Sequence, residues 1–316
     1  MWTCIRTLPL GAALLLVGCV GFGDFGPSDA YKEDFHSTHP LNPGGTVSIE
    51  TFNGPIEVMG WEQDSVEVNG TKYASSQSVL DSLKIDVTST PGSVHIRAVR
   101  PMDTHWHMGV RFSIRVPHKV QLDRITSSNG QIRIEDVDGS IRAQTSNGAI
   151  RLNRLKGAVE ARTSNGTIEA DYIDGNANMH TSNGNIRAEL AHGSFEGFTS
   201  NGSINARLND PSGTWPVRAE SSNGHIELTV DAKQMPEIRA STSNSSIVLR
   251  LPAWASARVR ANTSHSAVTS EFDGLHDDGG RRHSELHGTL GSGGPLIELS
   301  SSNGSIKILK LTEPRP

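Results

Sequence analysis

Aromatic residues make up only 5% of the 316 residues, and Cys4 and Cys19 are the only cysteines. The first shortage argues against a thick globular core and fits thin, layered coils. The second leaves no disulfide framework to read. The apolar run from Leu8 to Val17 is too short to cross a bilayer as a stable helix. No glycine precedes a helix as a phosphate-binding loop requires, and there is no nucleophile elbow. The column of clustered Asp that a calcium-dependent, polysaccharide-cleaving β-helix would show is missing as well. With a formal net charge of −5, nucleic acid is not expected as a partner.

What the chain does have is a period. Thr-Ser-Asn-Gly stands at Thr145-Ser146-Asn147-Gly148 and recurs at Thr163 to Gly166, Thr181 to Gly184 and Thr199 to Gly202. A Ser-Ser-Asn-Gly copy at Ser127 to Gly130 opens the series. Ser221 to Gly224, Thr242-Ser243-Asn244-Ser245, Thr263-Ser264-His265-Ser266 and Ser301 to Gly304 continue it at looser spacing. Self-similarity at a fixed period signifies a stacked array.

Within each period apolar or small residues alternate with polar ones. After the glycine they fall at Ile132 and Ile134, Ile150 and Leu152, Ile168 and Ala170, Ile186 and Ala188, Ile204 and Ala206, Ile226 and Leu228, and Ile306 and Ile308. Before the tetrad they fall at Ile141 and Ala143, Val159 and Ala161, Ala177 and Met179, Phe195 and Gly197, and Val217 and Ala219. A period of two means strands with these residues facing inward. A second glycine, at Gly139, Gly157, Gly175 and Gly193, divides each repeat into two halves of a strand plus a turn. Asn-Gly is a favoured turn pair because both residues tolerate positive φ, and that is the role expected of it here. The expected fold is all-β: a β-solenoid of two facing parallel sheets, about 18–21 residues per coil, with an irregular N-terminal β cap. Asn129, Asn147, Asn165, Asn183, Asn201, Asn223, Asn244 and Asn303 would form a structural ladder along one turn, bonded amide to amide.

At the N-terminus a single basic residue, Arg6, precedes the apolar run, which ends Leu16-Val17-Gly18-Cys19. A small residue directly before cysteine resembles the bacterial lipobox. Residues 1–18 are then expected to be a lipoprotein signal peptide and Cys19 the lipidated residue, anchoring the chain to a membrane without spanning it. Loss of Cys4 with the signal would leave no pair to form a disulfide. Val20 follows the cysteine where the usual inner-membrane retention signal has Asp, so outer-membrane delivery is preferred if the host has that membrane.

The remaining organisation is expected as a flexible tether over 19–44, a β cap over 45–126 and the solenoid over 127–312, with a long insertion at 273–294. The C-terminal run from Ile306, with Lys307, Lys310 and two prolines, would close the far end. Short insertions at 209–216 and 232–236, with the long one, are where recognition would sit.

The outward columns are the test for chemistry. Arg133, Arg151, Glu169, Arg187, Asn205, Glu227 and Lys307 form one; Arg142, Glu160, Asn178, Glu196 and Arg218 form the other. Opposite charges mostly alternate from coil to coil, which reads as charge balancing rather than a catalytic set. His276, Asp277, Asp278, His283 and His287 are the richest ligand group, but their spacing matches no metal motif. Trp106, between His105 and His107, reads as a plug of the cap. No catalytic residue, metal or cofactor is expected.

The lipobox, the Phe52-Asn53-Gly54-Pro55-Ile56 start, the Arg115-Val116-Pro117 strand end and the closing run from Leu290 through Gly294-Pro295-Leu296-Ile297 to Ser302-Asn303-Gly304-Ser305-Ile306 together resemble the bacterial "putative adhesin" family. The likeness covers nearly all of Thr46 to Leu311. It implies a β-solenoid in the cell envelope without established catalytic residues. The expected function is therefore a non-enzymatic cell-envelope lipoprotein whose rigid solenoid is a binding or adhesion scaffold, with an envelope protein or glycan as partner. The alternatives are a glycan-binding or carbohydrate-active β-helix protein using Trp215, Trp106 or the histidine-rich insertion, and an envelope-stress sensor acting through a protein partner.

Overall fold

The computed structural model describes residues 30–101, 107–210, 216–277 and 283–311. The chain is an all-β solenoid with sheets of 13 and 14 strands, each coil giving one strand to each sheet. Neighbouring coils pair in parallel and in register, so that Ile150 lies between Ile132 and Ile168. Nine isoleucines (Ile56, Ile132, Ile150, Ile168, Ile186, Ile204, Ile226, Ile247 and Ile306) make one continuous inward column. Each is 1% exposed or less. Burying such a side chain is worth about 1.5–3 kcal/mol, and β-branched residues suit a pleated strand, so this column is a main source of cohesion. Alanine recurs in the other sheet, at Ala143, Ala161, Ala219 and Ala240, with Met179 the larger exception, all buried. The sheets can therefore approach closely. At Gly197 even a Cβ would lie 2.7 Å from Phe195 Cζ, so the absent side chain makes room for that ring.

Turn geometry differs from the expectation in two respects. The tetrad glycines Gly148, Gly166, Gly184 and Gly202 are not among the positive-φ residues; those at the other corner, Gly157, Gly175 and Gly193, are, with φ of 111°, 152° and 108°. What excludes a side chain from the tetrad is the coil beneath it. A Cβ on Gly166 would lie 1.8 Å from the Gly148 carbonyl oxygen, and the same approach recurs at Gly148, Gly184, Gly202 and Gly224. The second difference is a left-handed residue within the longer strands, at Asp136 (φ 59°), Arg154 (φ 51°) and Tyr172 (φ 57°). It shifts the inward phase, so that Ile134 is followed by Val137, and Leu152 by Leu155. Each of these coils thus bends three times.

Both ends are built out of sequence order. The coil of Thr46–Glu50 and Ile56–Trp61 lies inside that of Ser93–Val99 and Met108–Pro117, which is reached later in the chain. Beyond them Lys84–Thr90 caps one sheet, and Ser65–Ala74 with Tyr31–Pro40 caps the other, all antiparallel. Residues 31–40 are therefore the edge strand and not tether. Their polar sequence hides this because an edge strand buries little; Phe35 alone of its apolar residues packs on the core.

At the other end the final coil, Leu296–Ser301 and Ile306–Lys310, is inserted between that of Ile238–Thr242 and Ile247–Leu251 and that of Ala257–Thr263 and Val268–Ser270. The strand Ile306–Lys310 is thus interior and does not close the end, while the two prolines lie outside the described residues. Strands of the 273–294 segment close one sheet instead: Glu285–Leu290 is antiparallel to Ala257–Thr263, and Leu275–Asp277 is antiparallel to Glu285–Leu290. The tetrads account for the order. Asn303 and Gly304 supply a ladder amide and a glycine whose Cβ would meet Ser245 O at 1.7 Å, whereas Ser264-His265-Ser266 has neither residue. The coil that cannot continue the stack is placed outermost.

Candidate functional site

The tetrad edge carries two parallel ladders. Outside, Asn147 Nδ2 donates to Asn129 Oδ1 at 2.7 Å, and the series runs on through Asn165, Asn183, Asn201, Asn223 and Asn244 to Asn303, each bond 2.7 or 2.8 Å long. The coil swap leaves it unbroken, because Asn303 follows Asn244 in space. Inside lies a ladder of hydroxyls. Thr163 Oγ1 donates to Gly148 O at 3.0 Å and accepts from Gly166 N at 3.2 Å, closing the turn and bonding it to the next coil. Ser127, Thr145, Thr181, Thr199, Ser221 and Ser301 make the same paired bonds. The restriction of the first tetrad position to Thr or Ser was the signal for this role.

On the sheet faces much of the charge in these columns is paired, although Arg187 and Lys307 have no ion pair among the described residues. Arg142 Nε meets Glu160 Oε2 at 2.9 Å, Arg151 Nε meets Glu169 Oε2 at 3.0 Å, and Asn178 donates to Glu196. Where like charges adjoin, the strand itself supplies the partner: Arg133, beside Arg151, turns to Glu135, and Arg239, beside Arg218, turns to Glu237. The left-handed corner holds a further pair. Arg154 grips Asp136 with two bonds of 2.6 and 2.8 Å. That bond, with the attraction of the guanidinium, holds the Asp136 carboxyl below its ordinary range, and the bond from Arg142 does the same for Glu160. A shallow groove of about 420 Å³ follows this face over the small residues Ser140, Ala158, Asn176 and Ser194.

Of the other expected residues, Cys19, His105, Trp106, Trp215 and Asp278 lie outside the described residues. His276 and His287 are direct cross-strand neighbours, and Arg260 is the next residue in that row. Among the described residues no three His, Cys, Asp or Glu gather as a metal would require, and no helix is long and apolar enough to cross a membrane. One feature went unnoticed in the sequence. Trp254 is 57% exposed and borders a concavity of about 330 Å³ with Lys233, Gln234, Met235, Ser256 and Pro295. A Trp two residues after Pro252, where the glycine rhythm of the corners lapses, was the available clue.

No family model matches the chain, and no curated protein matches it. Several solved structures do. A protein of Parabacteroides distasonis described as a "putative lipid binding protein" is 11% identical, with 90% of this chain and 98% of that one covered, at a TM-score of 0.39. A "putative adhesin" of Parabacteroides merdae is 7% identical, covering 89% and 97%, at 0.33. A "putative cell adhesion protein" of Clostridium sporogenes is 11% identical, covering 88% and 100%, at 0.24. At these TM-scores the likenesses decide nothing about what the chain does.

Proposed function

We propose that the chain is a non-enzymatic lipoprotein of the cell envelope whose solenoid is a scaffold for binding or adhesion. The observation that carries this reading is the mutual engagement of the polar columns. Arg142 and Glu160, Arg151 and Glu169, and the asparagines hold each other from coil to coil. Side chains so occupied make a rigid surface; a general acid or base would instead be left free to reach a substrate. Recognition then falls to corners and loops.

Cys19 would carry the lipid. The eleven residues from 20 to 30 span at most about 40 Å fully extended, so the edge strand at Tyr31 would stay close to the bilayer surface. Replacing Cys19 with Ala should move the protein from the membrane fraction to the soluble one; a variant that still sediments with membranes overturns the anchor. Gradient separation of the two membranes checks the outer-membrane assignment, and affinity capture of the tagged protein from its own envelope identifies what the scaffold holds.

A further inference from the structure

Trp254 stands where three chain segments meet at one corner of the solenoid. Residues 252–256 cross from the strand Ile247–Leu251 to the outermost coil, and in doing so pass the level of the inserted final coil. Residues 232–236 lie on one side of the crossing and 291–295 on the other. The corner is braced: Ala255 N donates to Pro252 O at 3.0 Å, and Ser292 N donates to Ser256 Oγ at 3.4 Å. An exposed indole held on a braced turn is pre-formed for a ligand.

The use of tryptophan elsewhere makes the contrast clear. Trp61 donates its Nε1 to Ser65 O at 2.8 Å, and the Arg115 guanidinium lies 5.7 Å from its ring. Trp254 is instead more than half exposed and lines a concavity. Met235, 5% exposed, and Pro295 supply apolar wall; Lys233, Gln234 and Ser256 supply polar rim. Among the described residues no carboxylate pairs with Lys233, and Glu237, close to it in the chain, is held by Arg239 at 3.0 Å.

We propose that this corner is a saccharide-binding subsite, in which the Trp254 indole stacks on the C–H face of a pyranose ring and the Lys233 ammonium pairs with a carboxylate carried by that sugar. A pyranose with equatorial hydroxyls has an apolar face and a polar edge, which match the indole and the rim. A volume of about 330 Å³ is at the small end for ligand sites, of the size for a ring or two rather than a packed helix or an acyl chain. The lone ammonium repels a quaternary amine, the other usual guest of an exposed indole, and favours an acidic sugar over a neutral one. This deepens the scaffold reading by naming a ligand class, but it does not depend on the lipid anchor.

The test is calorimetric titration of the full chain with β-1,4-linked triglucuronic acid and with cellotriose, which has the same ring stereochemistry without the carboxylates. Both should bind, the acidic one several-fold more tightly. Trp254→Ala should weaken both by at least about tenfold with circular dichroism unchanged, because the side chain is exposed. Lys233→Met should bring the acidic trisaccharide down to the affinity of the neutral one and leave the latter unaltered. No binding of either sugar at about 10 mM, or binding that survives Trp254→Ala, overturns the site; equal affinity for the two sugars overturns the role of Lys233. The Cys19→Ala protein serves equally well, so failure here and failure of the anchor are separate results.

Discussion

Replacing Gly166 with alanine tests the principle on which the coils stack. The added Cβ would sit 1.8 Å from Gly148 O and 2.5 Å from Gly148 C, both backbone atoms of a coil held on its other side. Reaching ordinary contact requires the coils to separate locally by more than about 1 Å. Besides the asparagine ladder bond, three inter-coil bonds lie in that gap: Thr163 Oγ1 to Gly148 O at 3.0 Å, Asn165 N to Ser146 O at 2.9 Å and Ser164 N to Ser146 O at 3.2 Å. At about 1 kcal/mol for each bond, and more where a buried group is left unpaired, the cost is on the order of 3–5 kcal/mol. Two controls separate contact from conformation. At Gly44, with φ of 81° and no atom within 4 Å of a Cβ, alanine should cost only the conformational term of about 1 kcal/mol. At Gly92, with no atom within 4 Å and no positive φ, it should cost nothing measurable. Urea denaturation followed by circular dichroism gives the ranking. Native-state hydrogen exchange then shows whether opening spreads from the damaged coil to its neighbours, as a stacked array requires. Gly166→Ala no more costly than Gly44→Ala would refute the argument from coil contact.

Thr163→Val, which keeps the shape but leaves Gly148 O and Gly166 N without their buried partner, should cost about 2–4 kcal/mol, while Thr163→Ser should retain both bonds and cost under about 1.5 kcal/mol, as measured by urea midpoints. Because the folded-state pKa of Asp136 is lowered, its contribution is fully present above the unfolded value of about 3.9 and disappears as pH falls through the folded value. Arg154→Met should therefore lower Tm at neutral pH, with the difference from the parent shrinking below about pH 4; a difference constant across that range would show that the pair is not its source.

Periodic features were the most legible in the sequence. An inward column is repeated at every coil, so Ile150 and Ile168 report the same environment twice and the alternation stands out. The left-handed corner was not legible, because Asp136, Arg154 and Tyr172 share a backbone conformation but no residue type. The tetrad glycines were recognised for the wrong reason: positive φ and close backbone approach both select glycine, and only the coil beneath distinguishes them. Residues 31–40 lacked alternation because an antiparallel edge strand is held mainly through its backbone. The hydroxyl ladder was visible as Thr or Ser but overshadowed by the asparagine beside it. Trp254 could not be placed, since Pro295, which lines the same concavity, is distant in sequence and is brought there by the reordered coil.

That reordering bears on how the chain comes together. Leu296–Ser301 and Ile306–Lys310 are made after Ala257–Thr263 yet belong inside the stack, whereas Ala257–Thr263 belongs beyond them. Ile238 pairs with Ile297, which pairs with Val259; Ala240 with Leu299, which pairs with Ala261. The same register thus lets Ala257–Thr263 dock directly on Ile238–Thr242 while the final coil is still missing. If that provisional pairing forms during synthesis, admitting Leu296–Lys310 requires parting it again. The inserted coil is thereby the joint of this end: Asn303 carries the asparagine ladder across the seam, and the antiparallel strands are seated beyond it.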